Sequence, residues 1–245
     1  MTPHPHIIRL DNVDSTNTYL SGIASNSPHG TCVLADRQSA GRGQRGNTWE
    51  SEPGKNLTFS VLLRPDGLHA SQQFRISQAV SLAITDTLDG FLPEGIEAKV
   101  KWPNDIYVGN RKICGILIEN TLCGAAIQHS IIGIGLNINQ RDFLSDAPNP
   151  VSLYQLTRKD TCINDILEGI LSRILQPFTD HDTLHHRYMS SLWRGDGQYY
   201  PYSTPDGNIF QARITSVAPT GHITLSPRPP ARPLTFAFKE VSAIL

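Results

Sequence analysis

The chain has 245 residues, 39% hydrophobic and 18% charged, and its 21 Lys and Arg against 22 Asp and Glu leave a net charge of −1. This composition supports a packed core and excludes collagenous, fibrous and disordered classes. Near-neutrality removes any global pull on nucleic acid or anionic membrane, so an anion site has to be local.

Cys32, Cys114, Cys123 and Cys162 contain no C-x-x-C pair, which favours reduced thiols over a disulfide frame or a zinc site. No apolar run reaches about 18 residues. Met1 to His6 carry no basic stretch ahead of an apolar core, so the expected location is the cytoplasm, with no membrane partner.

Ile7 to Leu10 read as a short strand, and Asp14-Ser15-Thr16-Asn17 offer N-cap side chains for a helix towards Ala24. Thr31 to Ala35 and Leu57 to Leu63 are strands around a Gly/Arg-rich stretch, 36–56. Phe74, Ala79, Val80, Leu82, Ala83, Ile84 and Leu88 fall at helical spacing and predict a helix over 71–90. From Ile96 the pattern alternates, with Ala98, Val100 and Trp102 on one face and Glu97, Lys99 and Lys101 on the other. Gly109-Asn110-Arg111 marks a hairpin turn between 105–108 and 112–119, and Ala126 to Ile138 form another strand. Ile163, Ile166, Leu167, Ile170, Leu171, Ile174 and Leu175 make an amphipathic helix ending near Pro177, followed by a helix over 182–193.

After Gly195 short β segments are broken by Pro205-Asp206-Gly207 and Pro219-Thr220-Gly221, and the prolines of 227–233 read as a loop between two strands. The expected architecture is α+β: a mixed or antiparallel sheet with helices on one side in residues 1–194, then a small barrel-like β domain in 195–245.

Gly41-Arg42-Gly43-Gln44-Arg45-Gly46 matches G-x-G-x-x-G. A dinucleotide-binding unit requires a helix to follow, and here Asn47 to Gly54 lead into a strand instead. What remains is a long glycine-rich loop with Arg37, Arg42 and Arg45, able to bring its backbone close to a ligand and to offer forked donors to carboxylate or phosphate oxygens. A loop of this length is a functional lid, or else a solvated surface segment.

Lys101-Trp102-Pro103-Asn104-Asp105 places a lysine off the core face at a strand end, where it is either a fixed cation for an anionic ligand or an ordinary exposed lysine. Gly133 and Gly135 within an apolar strand suggest close approach by a ligand or by another segment. Asn137 is either a polar contact for that ligand or a satisfied buried amide. His181, His185 and His186 have i, i+4 spacing without an acidic third ligand or an H-E-x-x-H frame, so a metal is disfavoured there. No serine-hydrolase elbow, Walker A loop or Cys-His arrangement is present.

Five segments together resemble biotin protein ligase: 14–17, 38–46 with Trp49, 101–105, Lys112 to Glu119, and Gly133 to Asn139. They follow the family's order and near-family spacing. The resemblance implies a catalytic domain of the class II aminoacyl-tRNA synthetase/biotin ligase type with a C-terminal SH3-like β domain. Because the chain starts at that catalytic domain, the resemblance is to the monofunctional type that does not bind DNA. It implies ATP and biotin as substrates with Mg2+, biotinyl-5′-AMP as intermediate, and a biotin carboxyl carrier protein of a biotin-dependent carboxylase as partner, and it leaves a homodimer open.

By matching position, Ser15, Thr16, Asn17, Gln38, Gly41, Arg42, Gly43, Gln44, Lys101, Gly115 and Leu117 would form the biotin site. Arg45, Trp49, Asn104, Lys112 and Asn137 would contact the adenylate or triphosphate, with Lys101 and Arg42 as the catalytic cations. Metal ligands are not assigned. Gln44 departs from the family's arginine, so retention of the adenylate is expected to rest on Arg42, Arg45 and closure of the 36–53 loop, expected to be mobile without ligand. The rival of the same fold is a lipoate or octanoyl ligase or transferase. A non-catalytic biotin or nucleotide sensor is the alternative of another class.

Overall fold

A computed structural model describes residues 5–44, 48–144, 148–176 and 180–245. Seven strands form the main sheet: β1 (Ile7–Val13), β2 (Cys32–Gln38), β3 (Leu57–Leu63), β4 (Ala98–Lys101), β5 (Asp105–Val108), β6 (Arg111–Cys123) and β7 (Ala126–Leu136). Their order is β1-β2-β3-β7-β6-β5-β4, parallel only between β1 and β2. The helices are α1 (Thr16–Ile23), α2 (Phe74–Leu88), α3 (Leu153–Thr157), α4 (Ile163–Ile174) and α5 (His181–Ser190). A second, antiparallel sheet contains β8 (Tyr200–Ser203), β9 (Ile209–Val217), β10 (Ile223–Pro227), β11 (Leu234–Phe236) and β12 (Ser242–Ala243), ordered β11-β10-β9-β8-β12. Among the described residues no helix is long and apolar enough to cross a membrane.

Side-chain alternation divides the main sheet into two faces. Leu34, Phe59, Val61, Ile132 and Ile134 point into the large core shared with α2, α4 and α5. Val33, Leu62 and Ile131 point the other way and meet Leu20 and Ala24 of α1 in a separate small cluster. Helices therefore lie on both faces, not one. By the same alternation Ser60, Gly133 and Gly135 fall on the α1 face, whose remaining area becomes the floor of a cleft.

Several elements differ from the sequence-based bounds for identifiable reasons. The predicted 71–90 helix starts at Phe74, because Ala70–Gln72 form a 3-10 turn capped by the His69 side chain. The last helix stops at Ser190, because Ser191 and Trp193 exchange backbone hydrogen bonds with Val100 and so cover the edge of β4. Strand β4 begins at Ala98, leaving Ile96 outside the ladder and 39% exposed. Pro177 lies outside the described residues. His181 and His185 stack their rings, and no group of three metal-ligating side chains converges among the described residues.

The second sheet docks on the first through one continuous core, in which Tyr202, Ala212, Val217, Ile223 and Val241 join the main cluster. Trp102 pins the junction. Its Nε1 donates to the Gly221 carbonyl at 2.9 Å, and its ring meets Phe238 edge-on at 6.1 Å. Trp102→Phe removes that donor and some packing, and is expected to cost about 1 to 2 kcal/mol. A lowered urea midpoint with unchanged slope would register the loss.

Candidate active site

The cleft on the α1 face is a cavity of about 940 Å3 bounded by both sheets, near the upper end of the usual range for small-molecule sites. Its polar end is the first turn of α1. Ser15, Thr16 and Asn17 are all nearly inaccessible there. Ser15 occupies the N-cap position but its side chain does not cap. The cap comes from β2 instead: Gln38 Oε1 accepts the Thr16 backbone N–H at 2.8 Å and the Thr16 hydroxyl at 3.2 Å. Ser60 of β3 donates to Asn17 Oδ1 at 2.5 Å and lies 2.8 Å from Thr16 Oγ1. Asn17 Nδ2 donates to Glu119 Oε2 at 2.7 Å, and the same oxygen accepts from Arg42 Nη2 at 3.0 Å.

The floor is glycine because neighbouring side chains occupy the space a Cβ would need. At Gly133 a Cβ would overlap the Asn17 carboxamide, and at Gly135 it would overlap the Trp49 indole, whose ring would also lie 3.0 Å from a Cβ at Gly115. The spacing pattern in β7 thus reflects close approach by other segments of the chain. Trp49 is anchored from behind, its backbone N–H donating to the Gly41 carbonyl at 3.0 Å.

The cationic side rests on the β4–β5–β6 ladder, where Lys101 pairs in register with Asp105 and Asp105 with Gly115. Asp105 is committed to Lys112 at 2.7 Å. Lys101 has no ion-pair partner among the described residues and lies 4.9 Å from the Tyr107 ring centroid. Burial pushes its pKa below the ordinary lysine value; Asp105 partly restores it, while Lys112 and Arg194 depress it further. Such an ammonium gains more from an incoming anion than a solvated one does. Asn104 holds the corner, donating from Nδ2 to the Ile116 carbonyl at 2.8 Å.

Three side-chain atoms on the cavity wall are buried without a protein partner: Gln44 Oε1, Trp49 Nε1 and Asn137 Oδ1. The other end of the Asn137 amide is satisfied, Nδ2 donating to the Val151 carbonyl at 3.1 Å. Three of the eight such atoms among the described residues thus gather around one cavity, and two acceptors and a donor there suit a polar heterocyclic ligand.

Of the residues expected from sequence, Ser15, Thr16, Asn17, Gln38, Arg42, Gly43, Gln44, Trp49, Lys101, Asn104, Lys112, Gly115, Leu117 and Asn137 line this one cavity. Gly41 sits behind it as the anchor of Trp49, and Arg45 lies outside the described residues. Ser60, Glu119, Tyr107 and Lys239 were not singled out. Ser60 and Glu119 had a weak signal, Ser60 as a polar residue inside a strand that is buried throughout and Glu119 as the acidic residue that ends the apolar run Ile116–Ile118. Lys239, at the cavity wall with a φ of 69°, had none.

A model of the biotin/lipoate A/B protein ligase family matches residues 10–137. The bifunctional ligase/repressor BirA of Bacillus subtilis is 33% identical over 193 residues, covering 77% of this chain and 58% of that protein. The biotin--[acetyl-CoA-carboxylase] ligase of Paracoccus denitrificans is 36% identical over 131 residues, 53% of each chain. The chain thus spans a little over half the length of these curated relatives. Among solved structures, the biotin protein ligase of Aquifex aeolicus in complex with biotin and ATP superposes with a TM-score of 0.77 at 26% identity, over 98% of both chains.

Proposed function

Because the chain belongs to the biotin/lipoate A/B protein ligase family, we propose that it activates biotin with ATP and transfers it to a lysine of a biotin carrier domain. In the first step a biotin carboxylate oxygen attacks the α-phosphorus of ATP. The bond to the bridging oxygen breaks, pyrophosphate leaves, and biotinyl-5′-AMP remains. In the second, a carrier lysine amine attacks the acyl carbon, AMP departs, and an amide forms. Residues 1–194 are read as the catalytic domain and 195–245 as a β domain that completes the cavity wall.

The observation that carries this reading is Lys101: a largely desolvated cation without an ion-pair partner, in the same cavity as the polar Ser15-Thr16-Asn17 turn. Two anions have to meet in the first step, which calls for fixed positive charge and alignment more than for a covalent nucleophile. Lys101 would sit between carboxylate and α-phosphate. Lys112, Trp49 and Asn137 face the nucleotide side. The anhydride hydrolyses in water, so enclosure by the Arg42–Gln44 segment and by the second sheet protects it.

Mg2+ would enter with the ATP phosphates, offsetting part of their charge. The expected carrier is that of a biotin-dependent carboxylase. Incubating the chain with biotin, ATP, Mg2+ and such a carrier domain should give ATP-dependent biotinylation. Transfer of lipoate or octanoate with no transfer of biotin would move the assignment to the other branch of the family.

A further inference from the structure

Glu119 lies beyond the residues assigned to either substrate, yet its Oε2 accepts from Asn17 Nδ2 at 2.7 Å and from Arg42 Nη2 at 3.0 Å. A primary amide can turn over and exchange its donor and acceptor ends. An ionised carboxylate only accepts, so at this contact it selects the orientation with Nδ2 towards Glu119 and Oδ1 towards Ser60. Ser60 fits the same orientation by donating to Oδ1 at 2.5 Å. Leu117 adds a longer contact, its carbonyl accepting from Nδ2 at 3.4 Å. Asn17 is 3% exposed and its carboxamide lies against Gly133, so there is no room to satisfy a reversed amide by shifting. The result is an acceptor oxygen with one lone pair left over at the polar end of the cavity.

We propose that Glu119 is a positioning residue that fixes the amide polarity of Asn17 and thereby sets the cleft's preference for a cyclic urea, which presents ring N–H groups, over a plain alkyl acid. This rests on the ligase reading and deepens it by naming the residue that separates a ureido substrate from an acyl-chain substrate. The ion pair to Arg42 is a separate matter: both side chains are more than two-fifths exposed, and such a pair contributes little. What Asn17 requires from residue 119 is an acceptor without a competing donor.

Two variants separate these roles. Glu119→Met keeps the length and removes the acceptor. Glu119→Gln keeps the length and an acceptor oxygen but adds a donor, so it no longer dictates which end of the Asn17 amide faces it. Biotin, desthiobiotin and octanoic acid are titrated calorimetrically into each, with ATP binding and the thermal midpoint followed alongside. Glu119→Met is expected to weaken biotin and desthiobiotin by about tenfold, to lower the midpoint because the buried Asn17 Nδ2 loses its closer acceptor, and to leave octanoic acid and ATP binding unchanged. Glu119→Gln is expected to weaken the same two ligands by less, about threefold. Equal weakening of all ligands by Glu119→Met, unchanged biotin affinity in that variant, or a larger loss with Glu119→Gln than with Glu119→Met would overturn the proposal. A parent chain that bound no biotin would instead overturn the ligase reading itself.

Discussion

Lys101→Ala is expected to fold and to lose ATP–pyrophosphate exchange by on the order of 10²–10³-fold, the usual cost of removing one preorganised charge-stabilising group. The folded state loses little, because Lys101 forms no ion pair among the described residues and the variant is relieved of a charge held partly out of water. The wild-type lysine also makes a pH prediction with opposite signs for two observables. Its folded pKa lies below that of the unfolded chain because of desolvation. Between the two values the unfolded state binds more protons, so the unliganded protein gains stability as pH rises through that window. Affinity for a carboxylate ligand needs the ammonium and falls over the same window. Measured as the difference between the parent and Lys101→Met, biotin affinity should drop at an alkaline pH where the stability difference moves in the parent's favour. Near-normal exchange by Lys101→Ala would remove the lysine from the mechanism.

The residues that reach the cavity were largely legible in the sequence, because each interrupts a local pattern. Gly133 and Gly135 break an apolar strand, Lys101 stands at the end of an alternating one, and Arg42 lies in a loop with no helix to follow. What each does was less legible. Gln38 is the helix cap for α1, a role that Ser15 would fill by local rules. The exchange depends on β1 and β2 lying side by side in parallel, with Val13 opposite Gln38. Nothing within a few residues of either segment encodes that.

Ser60 is a similar case. It completes the polar end only because β3 lies next to β7, with Ser60 opposite Gly133. The contribution of the second sheet was the least legible. Phe238 and Lys239 reach the cavity because Trp102 bonds to Gly221 across the junction, a contact between segments 119 residues apart. The glycine fingerprint of 41–46 gave a local match to a dinucleotide loop, and topology decides against it: the sheet is parallel at only one pair of strands.

Gly133→Ala and Gly135→Ala are expected to damage different halves of the site although they stand two residues apart on one strand. A Cβ at Gly133 would come within 2.9 Å of Asn17 Cγ, and one at Gly135 within 2.6 Å of Trp49 Nε1. The strand cannot step back at either glycine, since β7 is paired on both sides at these positions: Gly133 with Ser60 and Leu117, Gly135 with Thr58 and Gly115. The side chains must yield instead. Overpacking of this kind costs about 1–3 kcal/mol, or roughly 5- to 150-fold if it falls on binding. For Gly133→Ala the loss should appear as a raised KM for biotin, because Asn17 is displaced from Glu119 and Ser60. For Gly135→Ala it should appear as a raised KM for ATP, because Trp49 leaves its place beside Lys112, whose Nζ lies 5.6 Å from the indole centroid. Steady-state kinetics with each substrate varied in turn would separate the two. Equal effects of both variants on both substrates would mean that the floor acts as one rigid unit, and that Asn17 and Trp49 do not divide the cleft between an acid and a nucleotide.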